Sequence, residues 1–181
     1  MKFFDILMGR TRVKKPDIDG LFSLSTAYLT LNDNGFNPTG VAGICFKRVD
    51  SKTFADAMRD ISSLLDLSGP DVTYSRIKDE YGYEWFVLKS DNFENLIVNI
   101  HMISEVLIDK GFEERLLSSV FAFNRFYLVY NYKSGKFYPF APLSEDTRDN
   151  KLEFKIKSMI KKEMRIEEDI TKWYPIRKMP F

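Results

Sequence analysis

The sequence predicts an α+β fold: a single domain in which an antiparallel sheet of hairpins and a meander is covered by about three helices. Three observations predict it. Short apolar and β-branched runs are joined by brief turn signals, which favours antiparallel neighbours. Two longer segments repeat their apolar residues at helical spacing. Strands also come in consecutive groups rather than alternating singly with helices, which separates α+β from α/β.

Residues 1–16 form a basic, amphipathic arm. Lys2, Arg10, Arg12, Lys14 and Lys15 stand against Asp5 alone, a local net of +4, and Pro16 closes the segment. Residues 21–31 are rich in apolar and β-branched side chains and read as a strand, followed by the turn Asn32-Asp33-Asn34-Gly35 and a second strand over 41–49. Phe54, Met58, Ile61 and Leu65 then recur at spacings of 4, 3 and 4, one face of a helix that Ser68-Gly69-Pro70 ends. A hairpin over 72–77 and 84–89 turns at Asp79-Glu80-Tyr81-Gly82. Asp91 and Glu94 suit a capping box for a second helix, whose buried face is Leu96, Ile100, Ile103 and Leu107 and whose stop is Gly111.

Residues 116–123, 126–132 and 136–140 read as three short strands turning at Asn124-Arg125 and Ser134-Gly135, with Pro139 marking the last as an edge. Asn150 and Glu153 suit the start of a final helix burying Leu152, Ile156, Met159, Ile160 and Met164. Alternation of Leu152, Phe154 and Ile156 with charges keeps a strand open as the rival. The organisation is an arm (1–16), an α+β domain (17–165) and an irregular tail (166–181). Hairpin–helix, hairpin–helix, meander–helix hints at a threefold repeat, but no residue-level self-similarity accompanies it.

With 181 residues, 44% hydrophobic and 29% charged, the chain suits one globular domain with a proper core. A net charge of +1 argues against a nucleic-acid binder, which needs a basic excess to displace phosphate counterions. One cysteine forms no disulfide framework, and the start Phe3-Phe4-Asp5-Ile6-Leu7-Met8 is too short for a signal core, so a cytoplasmic setting is expected. No apolar run approaches the roughly 20 residues of a membrane span.

Chemistry-bearing groups are few. One Cys and one His do not supply a zinc site. Cys45, inside a strand, reads as a small buried hydrophobe, and His101, one turn before Glu105, as an exposed helix histidine. The acids pair up as sequence neighbours in turns: Asp79-Glu80, Glu113-Glu114, Glu145-Asp146 and Glu167-Glu168-Asp169. Gly40-Val41-Ala42-Gly43 has neither the lysine nor the spacing of a phosphate loop. No cofactor or metal is expected, and the reading is a non-enzymatic binding protein. The alternatives are a carboxylate- and metal-dependent hydrolase, with Arg148 as the nearby cation, and a small apolar-ligand-binding domain built on an aromatic cavity between sheet and helices.

Two features suit binding. Tyr81, Tyr83 and Trp85 form one aromatic cluster; Tyr130, Tyr132 and Tyr138, with Lys136 at the hairpin tip, form another. Tyrosines on an outer strand face bury large area at small entropic cost, so these seven residues are the candidate protein-binding surface, with half-buried sheet residues as the rival. Coiled into a helix, Phe3, Phe4, Leu7 and Met8 share a face beside Arg10, Arg12, Lys14 and Lys15, the composition of an interfacial anchor on anionic lipid. Docking of this arm on its own domain or on a protein partner is the rival.

Six stretches, MKFFDILMGR, PTGVAGICFKRV, DEYGYEWFVL, NYKSGKFYPFAP, RDNKLE and DITKWYPI, spread in order through nearly the whole chain, resemble the PspAB family of PspA-associated proteins, found in archaea and some bacteria. The resemblance implies an accessory role beside phage-shock protein A, a coiled-coil protein that coats stressed membranes, and links to membrane stress more broadly, including HtpX-type proteases. It implies a PspA-like or other membrane-stress partner at the inner face of the membrane and brings no active site. By analogy with secretion-chaperone-like folds, a homodimer is a further expectation.

Overall fold

The run at 21–31 is helical, contrary to the strand expected there. Leu21, Leu24, Ala27 and Leu31 are all fully buried at spacings of 3, 3 and 4, a helical stripe that composition alone disguised. In the computed structural model, which describes residues 16–144 and 146–181, a 3-10 turn (Ile18–Ser23) leads into α1 (Leu24–Asp33). Then follow β1 (Pro38–Lys47), α2 (Lys52–Asp66), the hairpin β2 (Thr73–Lys78) and β3 (Tyr83–Lys89), and α3 (Phe93–Asp109). The meander β4 (Leu116–Phe123), β5 (Tyr127–Asn131) and β6 (Lys136–Phe140) precedes α4 (Asn150–Ile160). The chain is thus an α+β single domain with four helices and six strands among the described residues. Because the first unit holds one strand and no hairpin, the hint of a threefold repeat does not survive.

All strand pairs are antiparallel in one sheet of order β2-β3-β1-β4-β5-β6, so β1 lies at the centre and joins the hairpin to the meander. Residues alternate between its faces. Ala42, Ile44 and Phe46 point to the helical side, where Phe46 meets Phe54 of α2 and Phe86 of β3. Gly43 and Cys45 point to the other. Both β1 and β3 carry unbroken buried runs where a sheet with one wet face would alternate, so both faces are covered.

The second cover is the tail. Trp173 is buried and lies parallel to the ring of Tyr138, with centroids 6.4 Å apart, while its Nε1 donates to Glu167 O at 2.9 Å. Further on, Phe181 packs edge-on against Trp85 and Tyr127. Upstream, Phe137 N donates to Arg165 O and Glu167 N to Phe137 O, both at 2.8 Å, which covers the edge that Pro139 marked.

Helix ends follow local chemistry, with two one-residue shifts from expectation. Asn92, not Asp91, caps α3 through Glu94 N, and Asp149, not Asn150, caps α4 through Leu152 N. Gly111, at φ +82°, supplies the left-handed stop for α3, and Phe112 N closes it on Leu107 O at 2.8 Å. Glu153 turns inward: its Oε1 accepts from Ala141 N at 2.8 Å and Arg148 Nε at 2.9 Å. Arg148 also donates to Trp173 O at 2.5 Å and Pro139 O at 3.3 Å, tying α4, β6 and the tail together.

Among the described residues no helix is long and apolar enough to cross a membrane. Phe3, Phe4, Leu7, Met8, Arg10, Arg12, Lys14 and Lys15, the expected anchor, lie outside the described residues.

A candidate aromatic binding site

The β2–β3 hairpin is braced at its tip by Asp79. Its Oδ1 accepts from Tyr81 N at 3.0 Å and Tyr83 N at 2.9 Å, and its Oδ2 accepts from Trp85 Nε1 at 3.0 Å. One carboxylate therefore fixes all three aromatic residues of that cluster. Trp85 lies opposite Cys45 of β1, on the sheet face away from α2 and α3. Beside them the β1–β4 register slips between Cys45 and Phe46, where a bulge opens the strand ends.

Here the sheet, the β5–β6 turn and the tail enclose a cavity of about 870 Å³. Its walls include Tyr83, Trp85, Leu116, Tyr132, Tyr138 and Ile176, with Pro16 at its margin. Glu113 and Glu114 reach it from the 3-10 turn Glu113–Arg115, and Glu113 Oε2 is buried without a hydrogen-bond partner.

Five of the seven aromatic-surface residues converge here: Tyr81, Tyr83, Trp85, Tyr132 and Tyr138. They do not form an open face, however. Only Tyr81 and Tyr83 are exposed, at 55% and 36%. Trp85, Tyr132 and Tyr138 are buried, as is Tyr130. The Tyr132 hydroxyl shares hydrogen bonds with Ser104 Oγ at 2.5 Å and Ser119 Oγ at 2.6 Å, deep in the core. Tyr138 donates to Tyr174 O at 3.0 Å, so it holds the tail. Tyr130 lies on the helical side with its hydroxyl on Asp17 O, and Lys136 pairs with the buried Glu167 at 3.4 Å; neither reaches the cavity.

The reactive groups stay apart. Cys45 lines the cavity, but burial, and secondarily the charge of Asp79, pushes its thiol up to about 12, leaving a neutral hydrophobe at physiological pH. His101 is on α3, its ring tilted against Phe22 with centroids 4.5 Å apart and its Nε2 3.1 Å from Asp19 Oδ1, a partner 82 residues away instead of Glu105. Arg148 is engaged by Glu153 and two carbonyls, not by convergent acids of a cleft. Among the acidic pairs, Glu80 meets Lys178, Asp146 meets Arg177 and Glu168 meets Lys157. No group of three or more Cys, His, Asp or Glu among the described residues is placed to hold a metal.

Sequence reasoning missed Gly43 and Phe181. A Cβ built on Gly43 comes within 2.6 Å of Phe181 and 3.2 Å of Trp85, so the missing side chain is what lets the tail's last ring reach the sheet. Gly43→Val is expected to displace Phe181 while leaving the sheet folded. Tryptophan emission should shift to the red and proteolysis at 174–181 should quicken at least several-fold. Unchanged emission and cleavage would refute the contact.

No curated protein and no solved structure matches the chain. A family model, PspA associated protein B, matches residues 1–181, and on that match the chain belongs to the PspAB family.

Proposed function

We propose that this protein is a non-enzymatic accessory factor of the PspA-linked membrane-stress response, acting in the cytoplasm by protein–protein contact. The observation that carries the reading is membership of a family described by its association with PspA. An aromatic cavity with exposed Tyr81 and Tyr83 at its mouth supports a binding role. So do a neutral Cys45, a distant His101, and Glu80, Asp146 and Glu168 engaged in separate ion pairs. In this reading Phe3, Phe4, Leu7 and Met8, with Arg10, Arg12, Lys14 and Lys15, add weak contact with the anionic inner face of the membrane. Apolar and electrostatic terms on that scale are useful where a partner or a second copy, as in a homodimer, adds avidity.

The test is co-sedimentation of the purified chain with assembled PspA, and separately with anionic vesicles. Tyr81→Ser with Tyr83→Ser is expected to weaken PspA binding by about tenfold or more, the cost of removing two aromatic anchors. Charge reversal at Arg10, Arg12, Lys14 and Lys15 is expected to abolish vesicle binding and spare the PspA complex. Absence of any PspA association overturns the reading; an undiminished Tyr81/Tyr83 variant overturns the surface. The cavity favours one second reading, a small apolar ligand, which saturable binding of a fluorescent fatty acid by the wild type and its loss in Leu116→Arg would establish.

A further inference from the structure

The cavity is floored by one row of the sheet. Register places Cys45 opposite Trp85 on one side and Ser118 on the other, and Ser118 opposite Asn131. Trp85, Cys45, Ser118 and Asn131 therefore share a face across β3, β1, β4 and β5. All four line the cavity, and residues 174–177 of the tail form another wall. The row changes character along its length. Trp85 and Tyr83 make the β3 end aromatic, and Leu116 and Ile176 extend the apolar lining. Ser118 and Asn131, with Lys133 two residues further on, make the β5 end polar.

Those polar groups are donors without acceptors. Asn131 Oδ1 accepts from Lys133 N at 2.9 Å and Ser134 N at 3.3 Å, which fixes the amide and leaves its Nδ2 with no partner among the described residues. Ser118 Oγ likewise has no hydrogen-bond partner among them, and Lys47 and Lys133, both on the cavity wall, form no ion pair among them. Tyr132 and Tyr138, by contrast, direct their hydroxyls to Ser104, Ser119 and Tyr174. An amide, a hydroxyl and an ammonium together suit an anionic acceptor, because hydrogen bonds to an ionised group are roughly twice as strong as neutral ones. Glu113 and Glu114 line the same cavity and offset Lys47 and Lys133, so a second negative charge on the ligand would go uncompensated.

From this row we infer that the cavity binds a single-chain amphiphile bearing one negative charge, its head on Asn131, Ser118 and Lys133 and its chain running over Cys45 to Trp85. From β5 to β3 is three strand spacings, roughly 14 Å, which an extended chain of about ten carbons spans. The Cys45 thiol under the chain is neutral at physiological pH, so the middle of the floor carries no charge. At about 870 Å³ the space lies within the range typical of ligand cavities. The inference rests on the apolar-ligand reading of the cavity and is independent of PspA.

The test titrates the full chain by calorimetry with decanoate, decanol, decylamine and decyl phosphate, each below its micelle-forming concentration. Decanoate is expected to bind saturably, and about tenfold or more tighter than any of the other three. Asn131→Asp with Lys133→Ala keeps the oxygen that accepts from the turn. It is expected to bring decanoate down to the affinity of decanol and to leave decanol unchanged. Decanoate brominated at the far end of its chain should quench tryptophan emission more strongly than decanoate brominated beside the carboxylate, because the heavy atom then lies at Trp85. Equal affinity for decanoate and decanol, or undiminished decanoate binding by the double variant, overturns the head site and leaves an apolar ligand standing. No saturable binding of any of the four overturns both. Stronger quenching from bromine beside the carboxylate overturns the direction of the chain, and tighter binding of decyl phosphate overturns the single charge.

Discussion

Replacing Glu153 by alanine is expected to cost about 3–5 kcal/mol of unfolding free energy, the usual consequence of removing one member of a buried ion pair. The Glu153 side chain is only 2% exposed and its partner Arg148 20%. Truncation strands the Arg148 guanidinium beside the Phe140 ring, 4.8 Å from its centroid, and leaves Ala141 N–H without its acceptor. Glu153→Gln keeps an oxygen for Ala141 and should fall between. The exposed pairs Arg177–Asp146 and Lys178–Glu80 are screened by water, and Asp146→Asn or Glu80→Gln should leave stability unchanged. Because Arg148 also holds Trp173 O, the loss should loosen the tail first, seen as early exchange of amide protons over 173–177. A cost below about 1 kcal/mol for Glu153→Ala would mean that the pair is not a structural staple.

What the sequence revealed and what it hid divide along one physical line. Leu96, Ile100, Ile103 and Leu107 read as one buried face and are all fully buried, because a helix's inward stripe is a local property of spacing. The tight turn at Asp79 and the edge position of Pro139 were legible for the same reason. The run at 21–31 was misread because its composition was weighed above its period; Leu24, Ala27 and Leu31 already carried the helical signal. The tyrosines failed differently. Alternation correctly separates the two faces of β5 and β6, but nothing local states what covers a face. The cover comes from Trp173 and Phe181, far along the chain, and from α3 through Ser104. The cavity was illegible as a unit because its walls come from seven separated places in the chain: 16, 45–47, 79–85, 113–118, 131–133, 138 and 174–177.

Burial of these same groups sets a second large effect: stability is expected to fall steeply as pH rises from about 9 to about 12. Burial raises the Cys45 thiol from an ordinary 9.0 to about 12, with Asp79 adding to the shift. Burial also raises the Tyr132 phenol from 10.0 to about 12, against the hydrogen bonds of Ser104 and Ser119, which act to lower it. Tyr130 and Tyr138 are pushed up by burial as well. In each case the folded chain holds its proton to higher pH than the unfolded chain does. Across this window the unfolded state therefore binds fewer protons, and stability declines with pH. The contribution is complete below the unfolded values and lost as pH climbs through the folded ones, together on the order of several kcal/mol. Chemical denaturation from pH 8 to 12 should show the midpoint falling throughout, with tyrosinate absorbance from the buried rings rising together with loss of ellipticity. Tyr132→Phe removes one of these titrations. Starting less stable, because Ser104 and Ser119 lose their shared partner, that variant should nonetheless decline less steeply above pH 10. Parallel pH profiles for wild type and Tyr132→Phe would mean that this hydroxyl is not protected by the fold, and that the sealed contact between α3 and β4 does not form.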